Sequence, residues 1–260
     1  MFEQGKSVKS KYKISIITVC YNSENTIEDT LQSVASQKNI DIEHIVIDGA
    51  STDNTLEIIK KYKSVTTLVS EPDNGIYDAM NKGLDLATGD VIGTLNADDF
   101  YANDSILSEV AKVFLNPNID ACYADLVYVN QQDTNKTIRY WQSRDYKQGL
   151  FKQGWMPAHP TFFVRKNVYV QYGVFDLNYK LAADFELMLR FMEKHQIRSQ
   201  YIPQTWVKMR MGGATNKSVL NVIKANIESY QACKKNGLKV TWLFPIAKIL
   251  SRIPQFFNHG

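Results

Sequence analysis

What most constrains this chain is a rhythm in its first hundred residues. Four short apolar runs rich in β-branched residues, Ile14 to Val19, Ile42 to Ile47, Thr66 to Val69 and Val91 to Leu95, alternate with segments of helical spacing. Runs without polar alternation make strands buried on both faces. Between them Ile27, Leu31, Val34 and Ala35 share one helical face, Leu56, Ile59 and Tyr62 a second, and Ile76, Ala79, Met80, Gly83, Leu84 and Ala87 a third. Asn22 or Ser23 is expected to cap the first helix and Asp53 or Asn54 the second, with Gly89 stopping the third. This alternation implies right-handed crossovers and a parallel sheet covered on both sides. Ligands of such sheets sit beyond the carboxyl ends of the strands, which collects Tyr21, Asp48, Asp53, Asp98 and Asp99 at one edge.

The second half changes character. "DACYADLVYV", "KTIRYW" and "PTFFVR" read as strands without regular helices between them. "LAADFELMLRFMEKH" is an amphipathic helix with Phe185, Met188, Leu189 and Met192 on one face. A strand near Tyr201, a glycine-containing loop "KMRMGGATNKS" and a helix over Asn221 to Cys233 follow. No repeat or long linker divides the chain. The expected layout is a basic extension over 1–12, one α/β domain over 13–217 with halves 13–103 and 104–217, and a helical tail over 218–260.

Composition excludes some classes. A net charge of +3 with scattered Lys and Arg gives no footprint for nucleic acid. Three cysteines without a CxxC pair point to a reducing compartment. No segment has the ~20 apolar residues of a membrane span, and the amino terminus lacks a signal-peptide core. A soluble, cytoplasmic protein is the expectation.

The chemistry lies in "LNADD". Two adjacent carboxylates at the end of a central strand repel each other, so something positive is expected to compensate. The first strand leads into "VCYNSEN", with no GxGxxG, and no GxxxxGK[ST] occurs anywhere. A nucleotide site without a glycine cradle can neutralise a diphosphate with a hard cation, which takes a few protein oxygens and fills its remaining positions with phosphate and water. Asp98 and Asp99 are the expected holders of Mn²⁺ or Mg²⁺; the plainer alternative is a turn that starts a helix.

"ISIITVCYN", "IVIDGASTDNT" and "LNADD", continued by "HPTFF" and "AADFELMLR", resemble the family 2 glycosyltransferases, enzymes of the GT-A fold that use nucleotide sugars. The resemblance spans about residues 13 to 215. It implies a Rossmann-like α/β domain with a mainly parallel sheet and a helical C-terminal appendage. It also implies inverting transfer of a hexosyl or N-acetylhexosaminyl group, from a UDP-sugar to a lipid-linked or other glycan acceptor, in the synthesis of a bacterial surface polysaccharide (O-antigen, lipopolysaccharide, capsule or exopolysaccharide). By resemblance Tyr21 stacks on uracil, Thr18 offers a backbone contact, and Asp48 accepts a hydrogen bond from the base. Asn96, Ala97 and Asp98 stand at the DxD position, with Asp98 the main ligand of Mn²⁺, the favoured ion. The chain departs from the pattern at Gly49 and Asn96, where many members carry acids. "PDNGIYDAMNKG" resembles a donor-side segment in which Asp73, Asn74 and Lys82 are contacts.

Asp184 resembles the catalytic base. Inversion needs one carboxylate to take the proton of the attacking hydroxyl while the leaving diphosphate is neutralised elsewhere; an N-cap is the plainer role. His159, Trp155 and Lys208 are candidates for acceptor or diphosphate, with Trp141 a second stacking surface. Arg210 is expected on a mobile loop before Gly212 and Gly213 that closes on the diphosphate. The tail, 239–257, mixes Trp242, Leu243, Phe244, Ile246 and Ile249 with Lys239, Lys248 and Arg252. It is expected to lie on the cytoplasmic face of the inner membrane, with packing on the domain or on a second copy of the chain as the alternative. A nucleotidyltransferase would want a glycine-rich basic loop after the first strand, which is lacking. A non-catalytic sugar-nucleotide or glycan-binding module would not need Asp98, Asp99 and Asp184 together.

Overall fold

The computed structural model describes residues 12–212 and 218–250. The chain runs β1 (Lys13–Cys20), α1 (Ile27–Ala35), β2 (Asp41–Asp48), α2 (Thr55–Ile59), β3 (Val65–Ser70), α3 (Ile76–Leu86) and β4 (Val91–Thr94). It continues through β5 (Asp99–Tyr101), α4 (Ile106–Val113), β6 (Ala121–Val129), β7 (Thr137–Trp141), β8 (Phe163–Arg165) and α5 (Lys166–Tyr172). The last elements are α6 (Ala183–Leu189), β9 (Ser199–Arg210), α7 (Val219–Lys235) and α8 (Phe244–Leu250). One sheet orders the strands β3-β2-β1-β4-β8-β6-β9-β5, with β7 paired to β6.

The expected parallel half is present: β1 pairs in parallel with both β2 and β4, and β2 with β3. Its driving force is plain, since Ile14, Ile16, Ile17, Ile45, Val46 and Ile47 are fully buried between helical layers. Gly83 of α3 is required by close approach, because a Cβ there would lie 2.4 Å from Ile17 Cγ2. Beyond β4 the sheet becomes mixed. β8 is antiparallel to β4 and β6, β9 runs parallel to β6, and β5 returns antiparallel to β9.

Several local expectations are corrected. Neither Asn22 nor Ser23 caps α1; Thr26 is the boundary residue, and the Ser23 carbonyl accepts Ile27 N–H at 2.9 Å. Asp53 does serve the start of α2, its Oδ1 accepting Thr55 N–H at 3.0 Å. Helix α3 ends before Gly89, at Ala87, whose extended backbone breaks it. Helices α4 and α5 lie where no helix was expected, ahead of the one read at "LAADFELMLRFMEKH", and β5 turns Asp99 into a strand residue. β9 extends through Arg210, so Lys208 and Arg210 sit on a strand and not in a loop; Gly213 and residues 214–217 lie outside the described residues.

Helix α7 packs on α6, and α8 on α7. Phe244 and Lys248 of α8 are buried, whereas Trp242, Leu243, Ile246 and Ile249 are exposed, as are Leu220, Ile223 and Ile227 of α7. The packing alternative therefore holds for one face of the tail; Arg252 and residues 251–257 lie outside the described residues. Among the described residues no helix is long and apolar enough to cross a membrane, and the three cysteines are free and buried.

Candidate active site

A cleft of about 740 Å³ opens at the carboxyl ends of β1 and β4. Tyr21, Asp73, Asn96, Ala97 and Asp98 line its donor side, and His159, Asp184 and Trp141 line the other. Three of the four acids expected at the strand ends fail to reach it: Asp48, Asp53 and Asp99 are turned to structural work, and only Asp98 of the acidic turn lines the space, while Asp73 joins from the β3–α3 loop.

The rim is stitched by short polar side chains. Asn22 sits in the left-handed region, at φ 47°, and its Oδ1 accepts Thr52 N–H at 2.9 Å. Ser51 Oγ accepts Asn22 N–H at 2.8 Å and Thr55 Oγ1 accepts Ser23 N–H at 2.7 Å. These bonds tie the loop after β1 to the loop after β2, and Tyr21 stands on that frame with 62% of its surface exposed. Asp48 is fully buried. Its carboxylate accepts Ser51 N–H at 2.9 Å and the hydroxyls of Ser51 and Ser70. The carboxylate expected on the base instead builds the loop. Thr18 lies beneath the floor, its Oγ1 3.0 Å from His44 Nε2, while Val19 and Cys20 supply the wall.

Gly49 has a direct explanation. A Cβ there would lie 2.6 Å from Asp73 Oδ2 and 3.5 Å from the Tyr21 ring. Asp73 thus fills the space where the related motif carries its second acid.

The acidic turn is held from behind. Thr30 of α1, fully buried, donates to the Asp99 carbonyl at 2.7 Å and to the Asn96 carbonyl at 3.3 Å. Arg210 is 5% exposed. It pairs with Asp29, donates to the Asp98 carbonyl at 3.2 Å and lies over the Phe100 ring. It is therefore a support of the turn and not a loop cation aimed at diphosphate. Asp99 is fully buried, and Asn96 Nδ2 donates to its Oδ2 at 3.2 Å. Burial first, and then the neighbouring Asp98, push its carboxyl well above the usual range.

No group of three His, Cys, Asp or Glu side chains gathers as a ready metal cage among the described residues. The donor set here is one cleft-lining carboxylate, Asp98, beside Asn96, whose buried Oδ1 has no partner. That suits a hard cation that draws most of its oxygens from phosphate and water, as Mg²⁺ and Mn²⁺ do. It does not suit a site built from both Asp98 and Asp99.

At the other wall Asp184 is the second residue of α6 and not its cap. The boundary residue is Ala182, and Glu228 of α7 accepts the N–H groups of Lys180, Leu181 and Ala182 at 3.2, 2.8 and 2.9 Å. Glu228 thus fixes, from another helix, the turn that leads into α6. Tyr77 of α3 donates its hydroxyl to Asp184 Oδ1 at 3.0 Å. Burial and the Asp184 charge raise the Tyr77 phenol well above its ordinary value, so it stays a donor. His159 is buried, 3.4 Å from Thr94 Oγ1, and burial lowers its pKa while Asp184 opposes that shift.

The remaining expected contacts lie elsewhere. Asn74 N–H donates to Asp78, and Lys82 pairs with Glu71 at 2.7 Å and donates to the Pro72 carbonyl. Trp155 packs among Tyr123, Tyr146 and Phe151. Lys208 pairs along the sheet with Phe100 and Val127. None of these four lines the cleft. Tyr77, Thr30 and Glu228 are the residues that sequence reasoning missed. Tyr77 alone left a signal, a polar-tipped ring on the apolar face of a helix.

A parallel nucleotide-type half, a strand-end acidic turn and a cleft shared with a second, mixed half define a GT-A architecture. S. aureus TarS 1–349 has the same fold in complexes with UDP and with UDP-GlcNAc. The TM-scores are 0.58 and 0.62 at 20% and 18% identity, over 83% and 90% of this chain and 65% and 69% of that chain. The mannosyltransferase PcManGT from Pyrobaculum calidifontis, in complex with GDP-Man and Mn²⁺, gives a TM-score of 0.64 at 17% identity, over 93% of this chain and 69% of that one. A PGL/p-HBAD biosynthesis glycosyltransferase of Mycobacterium bovis is 30% identical over 193 residues, which is 72% of this chain and 73% of that protein. The model of Glycosyl transferase family 2 matches residues 15–173. The chain belongs to that family.

Proposed function

We propose that the chain is an inverting transferase that moves a sugar from a UDP-sugar to a hydroxyl of a glycan acceptor, in bacterial surface polysaccharide synthesis. The observation that carries this reading is that Asp184 faces, within one cleft, the donor end formed by Tyr21, Asn96 and Asp98. Tyr21 is exposed and framed for stacking on a base. Asp98 would hold the Mn²⁺ or Mg²⁺, whose chemistry there is to neutralise the departing diphosphate. Asp184, with one oxygen held by Tyr77, takes the proton of the acceptor hydroxyl as it attacks the anomeric carbon. His159, kept neutral by burial, adds no charge that would compete for the carboxylate.

Two neighbours in fold support the donor class: TarS 1–349 forms a complex with UDP-GlcNAc, and PcManGT one with GDP-Man and Mn²⁺. A lipid-linked acceptor and peripheral contact with a membrane are supported by the tail. Exposed apolar residues of α7 and α8 lie beside the exposed Lys224, Lys234, Lys235 and Lys239, a combination that suits an anionic lipid surface.

The test is UDP release with Mn²⁺ and a panel of UDP-sugars. One donor should give UDP with wild type and none with Asp184→Asn or Asp98→Ala. Equal release by all three proteins would defeat the assignment.

A further inference from the structure

A nucleotide site has to choose its base as well as hold it, and the carboxylate first expected to do so is out of reach. Asp48 is fully buried, and one of its oxygens accepts both Ser51 N–H at 2.9 Å and the Ser70 hydroxyl at 2.7 Å. At the Tyr21 end of the cleft the acid that lines the space is Asp73, together with Gly75. The frame beneath it is fixed by backbone bonds. Gly49 N–H donates to the Cys20 carbonyl at 2.9 Å and Glu71 N–H to the Asp48 carbonyl at 3.0 Å, so the ends of β1, β2 and β3 are tied side by side. Asp73 follows two residues later. Its Oδ1 accepts Gly75 N–H at 2.8 Å, and Gly75 is the boundary residue of α3. The loop closes on its own carboxylate, and Oδ1 is committed to that task.

The other oxygen points elsewhere. Oδ2 lies 2.6 Å from the point where a Cβ of Gly49 would stand, and Tyr21 Cδ2 lies 3.5 Å from the same point. The carboxylate oxygen and the edge of the exposed ring thus meet across the missing side chain of Gly49. Among the described residues no hydrogen bond reaches Oδ2. Lys82 is engaged by Glu71 at 2.7 Å and by the Pro72 carbonyl at 3.0 Å. A base stacked on Tyr21 would therefore present one edge to a single carboxylate oxygen.

We propose that Asp73 selects the base of the donor, its Oδ2 accepting the N3–H of uracil. An ionised carboxylate only accepts, so the edge it reads must carry an N–H. Uracil has one N–H there, set between two carbonyls, which suits one available oxygen. Cytosine turns a ring lone pair to the same place, and two acceptors then face each other. The assignment deepens the transferase reading above and rests on it.

The experiment is calorimetry of UDP and CDP against the full chain with Mn²⁺, for wild type, Asp73→Asn and Asp73→Ala. Wild type should bind UDP at least about ten-fold more tightly than CDP, the worth of one hydrogen bond to a charged group. Asp73→Asn is the sharper variant. Its amide oxygen is needed for Gly75 N–H, which leaves the NH₂ group facing the base, a donor for cytosine N3 where uracil wants an acceptor. It should bind the two nucleotides equally or favour CDP, and Asp73→Ala should weaken UDP to the level of CDP. Retained CDP binding in both variants is the check on folding. Equal binding of UDP and CDP by wild type, or the wild-type ratio in Asp73→Asn, would overturn the proposal. Donor turnover is scored separately. Turnover of a UDP-sugar with equal binding of UDP and CDP removes the role of Asp73 and leaves the transferase reading intact. An Asp73-dependent UDP preference in a chain that releases UDP from no UDP-sugar does the reverse.

Discussion

The Tyr77 hydroxyl and Asp184 Oδ1 meet at 3.0 Å, joining α3 of the donor half to α6 of the acceptor half across 107 residues of sequence. The proposed base thus has one oxygen oriented by a hydroxyl that stays a donor. Removing the carboxylate should cost about 10²- to 10⁴-fold in kcat, the usual share of a general base. Tyr77→Phe should lower kcat about ten-fold with the donor KM within about two-fold, because it disturbs orientation and not binding. Steady-state kinetics on both variants checks this, and an unchanged kcat for Tyr77→Phe would strip the contact of its role.

Asp98 and Asp99 should behave as opposites. Asp98 lines the cleft; Asp99 is fully buried and its carboxyl is pushed toward the neutral form. Asp99→Asn keeps the shape of a buried group that does not line the cleft and should keep activity within about ten-fold, whereas Asp98→Asn should lose on the order of 100-fold or more with the metal supplied. A titration of Mn²⁺ against rate would expose the difference, with equal losses counting against the one-carboxylate site.

Glu228 satisfies three backbone donors in the turn that leads into α6. Glu228→Ala should lower stability by about 1–3 kcal/mol, the cost of leaving such donors unpaired. Glu228→Gln should cost less, since the amide oxygen still accepts but no longer complements the helix dipole. Urea unfolding read by circular dichroism measures both, and a rate loss without a stability loss would place Glu228 in the chemistry instead.

Acid should weaken the fold through His44. The ring is fully buried and its Nδ1 lacks a partner, so desolvation lowers its pKa from 6.5 to about 4. Between those values the unfolded chain binds the proton and the native chain does not, so stability falls as pH falls, by at most about 1.4 kcal/mol per unit. His159, lowered in the same direction, adds to the slope. Glu43, held down to about 2, loses its contribution only below its ordinary 4.5. His44→Gln keeps a partner for Thr18 and should flatten the slope between pH 6.5 and 5. Unfolding midpoints at those two pH values would show it, and an unchanged slope would assign the effect elsewhere.

The tail face can be tried directly. The full chain should sediment with vesicles containing anionic lipid and not with neutral ones. Trp242→Ser with Ile246→Ser should reduce that fraction several-fold while leaving UDP release unchanged. Sedimentation-velocity runs without lipid would reveal whether the same face instead joins two copies of the chain.

The parallel half was legible because its signal is local: Ile14 to Val19 and Ile42 to Ile47 are short, rich in β-branched residues and bounded by turn residues. In the acceptor half β6, β7, β8 and β9 fall at the four stretches that read as strands, and α6 and α7 at the two that read as helices, but their pairing was not legible. β8 spans only Phe163–Arg165 and pairs with β4 and β6, and no short-range pattern announces a sheet that reverses direction there. Motifs located Asp98 and Asp184 at the cleft but misjudged Asp48, Asp99 and Arg210. All three are carboxylate or guanidinium groups whose partners, Ser70, Asn96 and Asp29, decide whether they face ligand or hold backbone. Lys82 and Trp155 failed for the same reason. Partnership across tens of residues is a tertiary fact, and Glu228 at α6 is its plainest case.

The fit between Gly49 and Asp73 reaches beyond this one molecule. With Asp73 Oδ2 only 2.6 Å from where a Cβ at position 49 would stand, a side chain at 49 would make the Asp73 carboxylate, the far end of a flexible side chain, swing aside. The two positions are therefore coupled, and the effect of a substitution at either depends on which residue already stands at the other.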